Sequence, residues 1–255
     1  MLRLSPRQIL AITAIVGSLA AIAVAADPPS HQGRQPLHVL FIGNSLTAAN
    51  GLPEMVESLG RAKGGQTVET TTVTANNFSL EDHWNQGNAR AVIGRGGWSV
   101  VVLQQGPSAL PESRVLLRDY TKRFADEARK VGARTALYMV WPSKARTRDF
   151  DGVSESYSQA ARDVEGILLP AGDAWREAWR RDPSLALYAD DGFHPSRMGS
   201  YLAALAIWRG LSAQPALGLP GPRDVAADTL RLLQESVDHV STFKASLAKE
   251  SAVPR

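Results

Sequence analysis

The chain of 255 residues contains no cysteine. Thiol nucleophiles, thiolate metal sites and disulfides are therefore all excluded, and stability falls to a packed core, which a chain of this length can build. Charge of one sign is equally scarce: 28 Lys and Arg stand against 25 Asp and Glu, a net charge of +3. The arginines are scattered, and no basic stripe carries interleaved aromatics, which argues against nucleic acid as a partner. Repeats and low-complexity blocks are missing. So are the phosphate loop G-x-x-x-x-G-K-[ST] and the dinucleotide fingerprint G-x-G-x-x-G. No G-x-S-x-G elbow is present, which sets the ordinary α/β-hydrolase fold aside. The five histidines, His31, His38, His83, His194 and His239, show no metal-ligand spacing, so neither metal nor cofactor is expected.

Long apolar runs are confined to the N-terminus. Arg3 and Arg7 precede an apolar stretch from Ile9 to Ala23, and Ala23-Val24-Ala25 fits an A-x-A cleavage site. This is the layout of a secretory signal peptide over residues 1–25, followed by a linker over 26–36. The expectation is an exported protein. The alternative is a membrane anchor formed by the same segment left uncleaved, since the run approaches a spanning length. Contact with a membrane is expected only through this segment.

What remains, residues 37–255, alternates between two patterns. "LHVLFIG", "TVETTTVTA", "WSVVVLQ", "ARTALYMVW" and "GILLPAG" read as strands, and helical spacing lies between them. Leu116, Tyr120, Phe124 and Ala128 recur four apart, and "LPEMVESLGRAKG" and "GVSESYSQAARDVEG" are further helices. Several strands are continuous apolar runs, as in a parallel sheet buried on both faces. The expected fold is a three-layer α/β/α sandwich with a mainly parallel, flavodoxin-like sheet. "TVETTTVTA" alternates and belongs near an edge. After "LGLPGPRD", Ala226, Leu230, Leu233, Val237, Val240 and Leu247 predict a terminal amphipathic helix over 222–249.

In such sheets ligands sit at the carboxyl ends of the strands. The segments there are "GNS" (43–45), "ANNFS" (75–79), "QQGPS" (104–108) and "WPS" (141–143). Each alone reads as a turn. Near the other end, "DGFHPS" places Asp191 three residues before His194, with Pro195 set to open a helix. A carboxylate there can fix the imidazole's tautomer and leave the other ring nitrogen to a nucleophile. Ser45 supplies one, in the chain order Ser…Asp…His.

With "FIGNSL" after the first strand and "DGFHPS" near the end, the chain resembles the SGNH (GDSL-like) hydrolases over roughly residues 37–210. The resemblance implies ester hydrolysis without a metal, with Ser45 as nucleophile, His194 as base and Asp191 orienting it. It also implies an oxyanion hole built from the Ser45 N–H, a backbone N–H in the second block and a side-chain amide in the third. Here Asn77 stands at the usual glycine position, and "LQQGPS" replaces Gly-x-Asn-Asp. Gln104 or Gln105 could supply the amide; in a strand they face opposite ways, so at most one serves. Asn44, His83 and Trp141 are candidate substrate contacts, and Trp84, Trp98 and Trp141 are candidate platforms for sugar rings, although tryptophans are more often buried.

The expected function is that of an exported serine esterase removing short acyl groups, acetyl above all, from a carbohydrate or small molecule. The alternatives are a non-catalytic carbohydrate-binding module on the same fold, a lysophospholipase or thioesterase, and a nucleotide-binding flavodoxin-like domain.

Overall fold

The computed structural model describes residues 35–62 and 66–240. The signal-peptide reading, most of the linker and the far end of the expected terminal helix lie outside them. In chain order the elements are β1 (Leu37–Gly43), α1 (Ser45–Ala48), α2 (Leu52–Ala62), β2 (Val68–Thr74), α3 (Leu80–Gln86), α4 (Asn88–Ile93), β3 (Val100–Leu103), α5 (Pro111–Lys130), β4 (Arg134–Tyr138), α6 (Phe150–Asp163), β5 (Ile167–Leu169), α7 (Ala171–Arg181), α8 (Arg197–Ser212) and α9 (Ala227–Asp238). Among the described residues no helix is long and apolar enough to cross a membrane.

The five strands form one parallel sheet in the order β2-β1-β3-β4-β5. Val39–Ile42 and Val100–Leu103 pair in register and are wholly buried. Such strands need cover on both faces, which explains their unbroken apolar runs. Helices α2, α7, α8 and α9 pack with one another, and α3, α4, α5 and α6 form a second group. The expected three-layer sandwich is therefore the observed one. β2 is an edge strand, and its "ETTT" residues are largely solvent-facing while Val68 and Val73 point inward. The edge position was visible in that alternation.

Three details differ from expectation. Pro195 does not open α8; it pairs with Tyr188 in an isolated antiparallel bridge. Ser196 takes the N-cap, its Oγ accepting the Gly199 N–H at 3.1 Å, a role that needs a side-chain oxygen. The terminal helix begins at Ala227 rather than 222, because Pro222 and Val225 close a turn first. Along α5 the inward stripe runs through Leu117, Tyr120, Phe124 and Ala128, so Leu116 is left half-buried and available to the strand ends.

The connection from β2 crosses β1 to reach β3. The loops after β1 and β3 therefore part at this point, and the crevice between them is where an open α/β sheet places its ligand.

Candidate active site

β1 ends at Gly43, and the chain turns at once into α1. Asn44 caps that helix: its Oδ1 accepts the Leu46 N–H at 3.0 Å, and its Nδ2 donates to the Phe78 carbonyl at 3.0 Å. Ser45 is the first helical residue, so its hydroxyl is set by a capped turn. Gly43 is required by close approach: a Cβ there would collide with Thr47 Oγ1 and Gln104 Oε1.

The loop before α8 delivers the histidine. His194 Nε2 lies 2.9 Å from Ser45 Oγ, and His194 Nδ1 lies 2.6 Å from Asp191 Oδ2. Asp191 Oδ1 accepts the N–H groups of Phe193 and His194, both at 2.9 Å. A carboxylate accepts only, so Nδ1 carries the proton and Nε2 presents its lone pair to the serine O–H. The three residues, 149 positions apart at their extremes, form one continuous relay.

The bond from His194, followed by those from the two backbone N–H groups, holds the Asp191 carboxyl at about 2, below its ordinary 3.8. A lowered carboxyl pKa stabilises the fold above the ordinary value, and that contribution drains away as pH falls toward the folded value. Asp191→Asn should therefore weaken the dependence of stability on acid between about pH 4 and 2, read by urea unfolding at fixed pH values. An unchanged acid profile would contradict the assignment.

The two glutamines do not behave as expected. Gln104 is wholly buried. Its Oε1 accepts the Asn44 N–H at 2.9 Å and the Thr47 hydroxyl at 2.7 Å. Its Nε2 donates to Asn44 Oδ1 at 3.0 Å and to the Gln105 carbonyl at 2.6 Å. Backbone groups at both ends fix which way the amide points, and both its protons are committed. Gln104 thus clamps the Ser45 turn from beneath and is not placed as an oxyanion donor. Gln105 does line the cleft. Its Oε1 accepts the Leu80 N–H at 3.2 Å, and its Nε2 donates to Ser108 Oγ and the Ser113 carbonyl at 2.9 and 3.1 Å. This amide too is engaged, holding the β3 loop to α3 and α5. Both glutamines lie just beyond the end of β3, and neither amide keeps a free proton for a substrate oxygen.

Backbone donors remain. Ser45 and Asn77 both line the cleft, and their N–H groups have no protein acceptor among the described residues. Asn77 has φ of 62°, the left-handed region where glycine is free and asparagine is the best-tolerated substitute. This explains how asparagine occupies a glycine position. Asn77→Gly should fold normally, whereas Asn77→Val should lose about 1–2 kcal/mol in thermal or urea unfolding. Equal stability of the two variants would show that the turn does not depend on this conformation.

Other expected contacts lie elsewhere. His83 is buried, 1% exposed, beneath the turn, with Nε2 donating to the Gly43 carbonyl at 2.8 Å. Burial lowers its pKa, which keeps it neutral and makes it a prop rather than a substrate contact. Trp141 is also in the core. It stacks on Trp175 with centroids 3.6 Å apart and donates its indole N–H to the Phe193 carbonyl at 3.1 Å, steadying the histidine loop. Trp84 packs edge-on against Phe124, and Trp98 donates to the Val92 carbonyl. None of the three tryptophans lines the cleft. Asn44 does line it, with its amide spent on the cap.

The cleft holds about 470 Å³. Phe78, Pro107, Ala109, Leu110 and Leu116 line it from the loops after β2 and β3 and the start of α5, interleaved with Ser79, Gln105, Ser108 and Ser113. Pro142, Ser143, Arg146, Asp149 and Phe193 line it from the loop after β4 and the loop that bears His194. Arg146 and Asp149 pair at 2.6 Å. Sequence reasoning missed this pair; the only signal was the basic run "KARTRD" after a strand end. It also missed Tyr157, whose buried hydroxyl donates to the Gln105 carbonyl at 2.7 Å, since a tyrosine on a helix stripe reads simply as core.

No family model and no curated protein sequence matches the chain. Solved structures do. A protein from Slackia heliotrinireducens described as an SGNH hydrolase is 26% identical, covers 69% of this chain and 99% of its own, and superposes with a TM-score of 0.58. A DUF4886 family protein from Bacteroides uniformis is 17% identical with a TM-score of 0.69, over 82% of this chain and 96% of its own. A catalytic variant of an acetylxylan esterase from Geobacillus stearothermophilus, 17% identical, covers 70% and 95% with a TM-score of 0.53. The fold is that of the SGNH-type hydrolases among these neighbours, proteins described as hydrolases and esterases.

Proposed function

We propose that the protein is a serine esterase that works through an acyl-enzyme on Ser45. The observation that supports this most is the unbroken relay from Ser45 Oγ through His194 to Asp191. Ser45 Oγ attacks the ester carbonyl carbon while His194 Nε2 takes its proton. The tetrahedral oxyanion is held by the N–H groups of Ser45 and Asn77. As the intermediate collapses, the bond to the alcohol oxygen breaks and His194 returns the proton to it. Water then adds to the acyl-enzyme with His194 again as base, which releases the acid and restores the serine. Asp191 stays ionised throughout and stabilises the imidazolium.

The N-terminal segment supports export, so that the enzyme would act outside the cytoplasm. Intact mass of the exported protein tests this, with loss of residues 1–25 expected. The substrate is a carboxylic ester. The departures in the second and third blocks motivate the alternative of a carbohydrate-binding module without catalysis; the continuous relay of Ser45, His194 and Asp191 supports catalysis instead. Acetyl groups on a carbohydrate, the substrate expected from sequence, are one class to test. The test of the activity is a panel of p-nitrophenyl esters. The proposal expects saturable turnover that a fluorophosphonate abolishes; no turnover on any ester of the panel contradicts it.

A further inference from the structure

The wall of the cleft supplied by the loops after β2 and β3 and the start of α5 carries Phe78, Pro107, Ala109, Leu110 and Leu116 with serines and one engaged glutamine amide among them, and no charged side chain. Three large hydrophobic side chains stand exposed among the described residues, and one of them, Leu110 at 48%, lines the cleft. It shares this concave site with the partly buried Phe78 and Leu116, and apolar side chains that line a concave site form the usual ligand surface. Leu116 contributes because the inward stripe of α5 leaves it facing the strand ends. The opposite wall is different. It carries Ser143 and the Arg146–Asp149 pair, and it adjoins the loop that bears His194.

The reaction assigns the two walls. His194 must return its proton to the leaving oxygen, so the alcohol lies on the His194 side, against the polar wall. The oxyanion lies toward the Ser45 and Asn77 N–H groups. The remaining substituent on the tetrahedral carbon is the acyl chain, and it is directed away from His194 toward the loops after β2 and β3, where the apolar wall stands.

We infer that this wall is an acyl subsite, and that the enzyme takes esters of medium-length apolar acids in preference to acetyl esters. The inference rests on Ser45 acting as the nucleophile. Leu110 and Leu116 are its specificity-determining residues, since they extend the wall beyond Phe78.

The test is a series of p-nitrophenyl esters from acetate to decanoate, with acetate esters of several alcohols in parallel. If each methylene is about half removed from water, kcat/KM rises roughly 2-fold per CH₂, or about 60-fold from acetate to octanoate. In the Leu110→Ser, Leu116→Ser double variant the octanoate-to-acetate ratio should fall below about 10-fold. A second variant, Leu110→Phe, keeps the wall apolar and should retain most of the preference. Labelling of Ser45 by a fluorophosphonate is measured in every variant to show that the relay is intact. Acetate preferred over octanoate, or a preference that follows the alcohol instead, overturns the acyl subsite while leaving the esterase reading in place. An unlabelled Ser45 with no turnover overturns both.

Discussion

Ser45→Ala and His194→Ala should each lower kcat for ester hydrolysis by about 10⁴- to 10⁶-fold, with little change in thermal unfolding. Both residues act in the same step, so the double variant should be hardly worse than either alone; members of one relay are not additive. The structure gives a reason for the small stability effect. Ser45 Oγ makes its bond to an imidazole at the cleft surface, and the turn that carries it is held by Asn44 and Gln104 instead. Activity surviving in Ser45→Ala at more than a hundredth of the wild-type rate would mean that the serine is a turn residue and the nucleophile lies elsewhere.

Gln104→Leu should do the second largest damage, and of a different kind. The substitution keeps the volume but strands the Asn44 N–H and the Thr47 hydroxyl in a wholly buried place, while the Gln105 carbonyl keeps only its bond from the Tyr157 hydroxyl. Each stranded group costs about 1–3 kcal/mol, so a loss of roughly 3–5 kcal/mol in urea unfolding is expected. At temperatures where the variant is still folded, the loosened turn should reduce kcat about 10²-fold with KM less affected, because the nucleophile is misplaced rather than the substrate surface. Gln104→Glu, nearly the same shape, should not rescue: its carboxylate has no donor for Asn44 Oδ1 or the Gln105 carbonyl. A donor to the oxyanion would behave otherwise, losing turnover with no loss of stability.

The contrast between Ser45 and Gln104 shows what a sequence reveals. β1, the turn after it and the Asp191–His194 pair were readable because each is local. A buried apolar run ends at a small residue, and a carboxylate sits three positions before a histidine. The edge position of β2 was readable in its uneven polarity. Gln104 was placed at the right strand end and given the wrong task. The task depends on which way its amide points, and that is set by Asn44 and Thr47, some sixty positions earlier. His83 and Trp141 failed for the same reason: a polar or aromatic residue near a strand end can face the cleft or support it from behind, and only the packing partners decide. The apolar wall was unreadable for a subtler reason. Leu116 and Leu117 are adjacent, and which of them points into the core depends on the angle at which α5 meets the sheet.

The central claim is that Ser45 is a nucleophile activated by His194. It is tested most directly by treating the full-length protein with a fluorophosphonate and locating the adduct by peptide mass spectrometry. The account predicts a single adduct on Ser45, formed at a rate that drops at least a hundredfold in His194→Ala. An adduct on any other residue, or equal labelling with and without His194, would contradict it.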